Sequence, residues 1–215
     1  MSRMGEGNIP MRSGKRVELE MFGEVVFKSG KERQDYHEAE KRAERGEWNV
    51  VEIPFEQAVA WVKDRQPIEK TVFLTRLKSE AQALLLKEPL FANGDFRLVA
   101  CTTVHSYLDF RRDTDALIEF AYKPRSDKER IIYVRIDGTT NDIEGNHSSA
   151  DVLIRFPNDG CDPGLDKKQF DAIVKRSASG VSGDIVERFT NKSGPSDTVH
   201  SQHQRREIDY QEIPL

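Results

Sequence analysis

Three carboxylates in this sequence stand where an acid is costly. Glu80 lies three residues after Leu77 and four before Leu84, so on a helix it shares their apolar face. A carboxylate there must be paired, hydrogen-bonded, metal-bound or at the rim of the core. Asp115 opens the run Asp115–Tyr122, and Asp137 closes the run Arg130–Asp137. Between them lies Lys123–Glu129, polar and carrying Pro124, as the loop of a β-hairpin would be. A loop centred near Ser126 sets Asp115 opposite Asp137. Facing Cβ atoms in such a ladder are about 5 Å apart, and two like charges there need a cation or a proton between them. The chemistry with most content is Mg²⁺ or Mn²⁺ held by Asp115 and Asp137, with Glu80 binding directly or through water. The plain alternatives are a boundary Glu80 whose head reaches water, and a different strand register.

Secondary candidates surround these acids. Arg135 precedes Asp137 by two residues on the same strand face and suits bidentate phosphate contact, though it cannot act as a base. Thr139 follows Asp137 at the same spacing, where its hydroxyl could orient water or phosphate. The carbonyls of Ile136 or Gly138 could complete an oxygen shell, and Arg111 and Arg112 could touch flanking phosphates. His105 and His147 border the region without zinc-ligand spacing, and His37, His200 and His203 form no cluster. Asp159, Asp162 and Asp166 miss the twelve-residue calcium-loop pattern.

These residues need elements to position them. Residues 1–16, rich in Gly, read as a flexible arm. Val17, Leu19 and Met21 alternate before Phe22, and Val25, Val26 and Phe27 follow, which predicts one or two short strands. Residues 31–45 read as a solvated helix or charged loop, and 49–53 as a strand. Phe55, Val59 and Val62 fit a helix. Leu74, Leu77, Ala81, Leu84 and Leu85 predict the best helix, over 71–87, stopped at Pro89. Strands follow at 96–102, 114–122, 130–137 and 151–156, then a short helix at 165–175. Residues 177–215 read as a largely flexible tail, in which Ile208, Tyr210 and Ile213 could order on a protein partner. The expectation is a single α/β (α+β) domain over 17–176: a central mixed sheet, an antiparallel hairpin and flanking helices.

A helix bearing Glu80, a connecting strand, then paired strands bearing Asp115 and Asp137 resembles the restriction-endonuclease-like nuclease superfamily over about residues 70–156. That superfamily runs helix, three antiparallel-paired strands, helix, strand. It carries an acid on the second strand, an acid-x-lysine triplet on the third, and often a glutamate on the first helix. The resemblance maps these acids to Asp115, Asp137 and Glu80, and it implies metal-dependent hydrolysis of DNA or RNA. Thr139 stands where the lysine belongs. That leaves a migrated basic group, a metal-only mechanism, or a degenerate site.

Composition bounds the rest. The chain has 215 residues, 37% hydrophobic and 33% charged, with 11 Phe, 5 Tyr and 2 Trp, enough apolar bulk for one substantial domain. Its formal charge of −4 argues against non-specific wrapping of nucleic acid. Two cysteines, Cys101 and Cys161, exclude a disulfide-dense scaffold and a four-cysteine zinc site. No apolar run approaches the roughly 18 residues of a membrane span, and the Met1 segment has no secretory stretch, which points to an intracellular, cytoplasmic chain. Two rival function classes stay open: a non-enzymatic interaction or assembly protein, and a nucleic-acid-binding domain that has lost cleavage. The sequence leaves oligomeric state undecided.

Overall fold

A computed structural model describes residues 13–45, 53–125, 128–140, 148–158, 160–164, 166–191 and 206–209. A five-stranded mixed sheet forms its centre, in the spatial order β1 (Gly94–Thr102), β2 (Ala116–Pro124), β3 (Arg130–Thr139), β4 (Val152–Arg155), β5 (Arg206–Asp209). The first three strands form an antiparallel meander, and β4 and β5 add in parallel. Ala116 faces Ile136, so the hairpin adopts the register expected from its loop.

Helices cover both faces of the sheet. On one face α1 (Ser13–Phe22), α4 (Val72–Leu85) and α6 (Lys167–Thr190) pack on Ile118, Phe120, Val134, Ile136, Val152 and Ile154. On the other, α3 (Phe55–Lys63) and α5 (Tyr107–Arg112) cover Cys101 and Leu117. The central strand β2 is buried on both sides, so it reads as a nearly continuous apolar run. Its one acid, Glu119, is matched by Lys63 of α3 at 2.6 Å and Arg97 of β1 at 3.4 Å. The charged helix α2 (Gly30–Glu44) contributes Tyr36, whose ring meets Phe27 and Phe110.

Several expectations need correction. Residues 13–22 form a helix, so the expected arm at 1–16 contains the first turn of α1, and the strand at 17–22 does not exist. Val17 and Met21 alternate with Leu19 but are also one helical turn apart, and burial on the α4 side decides in favour of the helix. Residues 23–27 are irregular. Residues 1–12 and the strand expected at 49–52 lie outside the described residues. The short helix expected at 165–175 is α6, which continues through Thr190 and crosses the expected tail boundary at 176. Its second half hides behind small residues. A Cβ on Gly180 would already touch Ile208 at 3.5 Å and Val152 at 3.6 Å, so small side chains let α6 lie close to β4 and β5. The segment 206–209, expected to await a partner, pairs with β4 of its own chain. Tyr210 and Ile213 are outside the described residues. No helix among the described residues is long and apolar enough to cross a membrane.

Candidate functional site

The site lies where β2 begins and β3 ends. Asp115 is pinned by its backbone on both sides: its N–H donates to Ile136 O at 2.8 Å, and its carbonyl accepts from Thr103 N at 2.9 Å. Its side chain is therefore delivered beside Asp137, to which it is hydrogen-bonded. Asp115 also accepts from Gly138 N at 2.8 Å. Gly138 has no room for a side chain, since a Cβ would lie 2.6 Å from the Phe22 ring of α1. That close approach seats α1 across the end of β3 and brings two α1 residues, Lys15 and Glu18, to the acids.

The fourth acid, Asp109, comes from α5. Ser106 caps this helix by accepting from Leu108 N at 3.2 Å, and Asp109 reaches back to accept from His105 N at 2.7 Å, a capping-box arrangement. The chain turns sharply on both sides, with His105 at φ 65° and Asp113 at φ 46°. Such strained positions persist only where surrounding structure enforces them.

The electrostatics of the cluster are uniform in direction. Burial, then the charges of Asp137, Asp109 and Glu18, push the Asp115 carboxyl well above its ordinary range, against the pull of the Gly138 amide. Burial raises Asp137 to about 6, although hydrogen bonds with Ser148 and Asp115 pull it back. Burial raises Asp109 to about 7, with Glu18 and Glu40 adding to it and the His105 amide and Lys15 opposing it. Burial also lifts Glu18, with Asp137 adding to it. A hydrogen bond between two carboxyls needs a proton, and the pair shares one, with Asp115 only 3% exposed. Lys15 is the cation facing this group. Burial alone would pull its ammonium down, but Asp109, Glu40 and Glu18 hold it up. Behind it, Glu40 accepts from Lys15 Nζ at 3.5 Å and Tyr36 Oη at 3.4 Å, and contacts His37 Nδ1 at 3.3 Å.

The expected site residues divide. Asp115 and Asp137 meet, and Thr139, 8% exposed, follows Asp137 on the same face. Glu80 does not join. It sits half-buried on α4, whose apolar face packs against α6 and β1, and it has no hydrogen bond or ion pair with the cluster. Sharing a face with Leu77 and Leu84 made it a boundary residue, and Glu18 occupies the helical-acid position instead. Arg135 is committed elsewhere: it grips Asp151 through Nε at 3.2 Å and Nη2 at 3.0 Å, and its amide donates to the same carboxylate at 2.8 Å. The Ile136 carbonyl is already engaged by Asp115 N. His105 serves through its backbone amide, its ring meeting Glu24 at 2.8 Å. His147 lies outside the described residues.

Sequence reasoning missed Lys15, Glu18 and Asp109. Two signals were available. Lys15, Glu18 and Met21 repeat every three residues along one helix face, and Ser106-x-x-Asp109 is a helix-start signature.

Among the described residues no three acid, histidine or cysteine side chains are placed as a ready-made metal cage. The carboxylate oxygens of Asp115 and Asp137 are donors of the type a hard divalent cation takes. Buried oxygens held in contact only by a shared proton are groups that such an ion can bind in the proton's place. Comparison with protein-family models, curated proteins and solved structures found no match.

Proposed function

We propose that this chain is a divalent-metal-dependent nuclease hydrolysing phosphodiester bonds of DNA or RNA. The observation that carries this reading is the hydrogen-bonded pair Asp115–Asp137 at the end of an antiparallel hairpin, with Asp109 and Glu18 adding their charge to it and Lys15 facing those two. Asp115 and Asp137 would hold Mg²⁺ or Mn²⁺, which when bound supplies a more acidic water and offsets charge on the transferring phosphoryl group. Asp109, raised to about 7, has the proton affinity of a group that takes or returns a proton near neutral pH. Lys15 supplies the positive charge absent at Thr139, and it reaches the acids from α1 rather than from the third strand.

The restriction-endonuclease-like reading draws support from the helix α4 and the meander β1–β2–β3, with acids on the second and third strands. The chain departs from that order after β3, where no helix among the described residues precedes β4. A second reading, a nucleic-acid-binding domain that no longer cuts, is favoured by the buried Thr139, which stands where the resemblance expects a lysine.

The test is a Mg²⁺ and Mn²⁺ titration of thermal stability, followed by incubation with single- and double-stranded DNA and RNA. The nuclease reading expects metal-dependent stabilisation and cleavage, both abolished in Asp115→Asn and Asp137→Asn. Binding without cleavage selects the second reading. Neither metal response nor nucleic-acid binding removes both.

A further inference from the structure

The acid site occupies one end of the sheet, and a separate feature lies along its first edge. In an antiparallel strand the N–H and C=O of one residue point to the same side. In β1 the even-numbered residues turn these groups away from β2. Thr102 shows this directly: its N–H donates to Gln66 Oε1 and its carbonyl accepts from Gln66 Nε2, both at 2.9 Å. The Ala100 carbonyl likewise accepts from Lys70 Nζ. Gln66 and Lys70 thus close the last third of the edge. Among the described residues nothing closes the rest: the outward backbone groups of Gly94, Phe96 and Leu98 have no partner. A groove of about 300 Å³ runs beside this stretch, lined by Leu85, Leu86, Phe91 and Phe96. Leu86 in its lining is 68% exposed.

Open edges are normally blunted by charge, proline or a covering element. Here charge is present, but in a self-matching pattern. The open stretch is centred on Phe96. One twofold register uses all its free groups and avoids those taken by Lys70: Phe96 opposite Phe96 of a second copy, and Gly94 opposite Leu98. That register places Asp95 of each copy opposite Arg97 of the other, twice by symmetry. Asp95 is exposed and has no ion pair among the described residues, while Arg97 is 56% exposed, its contact with Glu119 a long one at 3.4 Å. Facing opposite charges stabilise a strand pair, whereas a foreign strand of arbitrary sequence meets one acid and one base. Phe96 of each copy meets its equivalent on the groove side, where Leu86 adds apolar surface.

We infer that the chain forms a twofold dimer by antiparallel β1–β1 pairing centred on Phe96, joining the two sheets into one. The paired stretch is short, so the contact is a reversible one of modest affinity. Sedimentation velocity of the full chain from low to high micromolar concentration should show a monomer–dimer equilibrium. Over the same range, backbone amide exchange at Phe96 and Leu98 should slow by about tenfold or more as dimer accumulates. Asp95→Arg should weaken dimerisation by about tenfold or more, since it sets arginine against arginine at both ends. Asp95→Asn, which removes the acid without setting arginine against arginine and leaves Arg97 beside Glu119, should weaken dimerisation less than Asp95→Arg. A monomer at every concentration overturns the inference. So does a dimer whose Phe96 and Leu98 amides exchange as in the monomer, or one that Asp95→Arg leaves unchanged. The result is independent of nuclease activity, because none of these residues belongs to the acid cluster.

Discussion

Two groups of acids gather around points two residues apart on β3, Arg135 and Asp137, and they behave in opposite ways. At the end of β3, Asp137 joins Asp115, Asp109 and Glu18, and all four carboxyls are raised. Two residues back, Arg135 meets Asp151, which in turn contacts Arg188 at 2.6 Å, and Arg188 meets Asp184 at 2.9 Å. Burial would push Asp151 up as well, but the hydrogen bonds and charge of Arg135 and the charge of Arg188 overcome it and hold it below its ordinary range. Burial is common to both groups, so partners decide the sign. Where two arginines answer two acids, the chain has completed its own ion pairs, and the network closes an edge: Arg188 also donates to the Tyr133 carbonyl at 3.2 Å, where β3 runs beyond its short neighbour β4. At the end of β3, among the described residues, Lys15 opposes only the charges of Asp109 and Glu18, and this shortfall of positive charge is what separates a site from a brace.

The comparison breaks most visibly at the brace. Arg188→Ala should cost about 3–5 kcal/mol in urea unfolding, because it strands Asp184 and half of the Asp151 pairing in the interior. A loss below about 1 kcal/mol would show that water reaches these groups and that the network is decorative.

Dependence on pH sharpens the contrast, since the two groups slope in opposite directions. A carboxyl raised in the folded state contributes stability that is fully present below its unfolded value near pH 4, and that is lost as pH climbs through the folded value. For Asp137 and Asp109 those folded values are about 6 and about 7, so the cluster loses stability from about pH 4 to about pH 7. Asp151, held low, does the reverse: its contribution is present above about pH 4 and fades as pH falls further. Asp109→Asn keeps an oxygen for the His105 amide while removing the charge. Its stability relative to the parent should therefore rise by on the order of 4 kcal/mol between about pH 4 and about pH 8. A difference that stays flat over that range would mean Asp109 titrates normally.

A smaller effect is expected at the shared proton. Asn at position 115 can accept from the Gly138 amide and donate to Asp137, reproducing the protonated acid without its charge. Asp115→Asn should therefore raise the unfolding free energy at neutral pH by about 1 kcal/mol, while removing the response to Mn²⁺. Stabilisation together with loss of function marks a site; destabilisation would make the pair another brace.

The same contrast explains what the sequence disclosed. The hairpin register was legible because two apolar runs flank one polar loop, and it brought Asp115 and Asp137 together correctly. Arg135 was misread because its partner is Asp151, which it shares with Arg188, a residue in a segment whose Ser and Gly residues resemble a tail. Those small residues are required by close packing on β4 and β5, a tertiary cause that no local pattern announces. Lys15 and Glu18 were hidden by the ambiguity of Val17, Leu19 and Met21, which suit a strand or a helix until the neighbour is known.

The smallest expected effect tests the residue that the sequence favoured over the one the structure supplies. Glu80 is half-buried at the margin of α4 and touches none of the acids, so Glu80→Gln should change stability by less than about 0.5 kcal/mol and leave the Mn²⁺-induced rise in melting temperature intact. Glu18→Gln should shrink that rise, because Glu18 adds its charge to Asp115 and feels that of Asp137 from α1. Glutamine preserves the length and helix propensity of either side chain, so the difference reads charge rather than packing. If instead Glu80→Gln abolished the metal response while Glu18→Gln left it whole, α4 rather than α1 would carry the third acid. The end of the sheet would then have to rearrange when the cation binds.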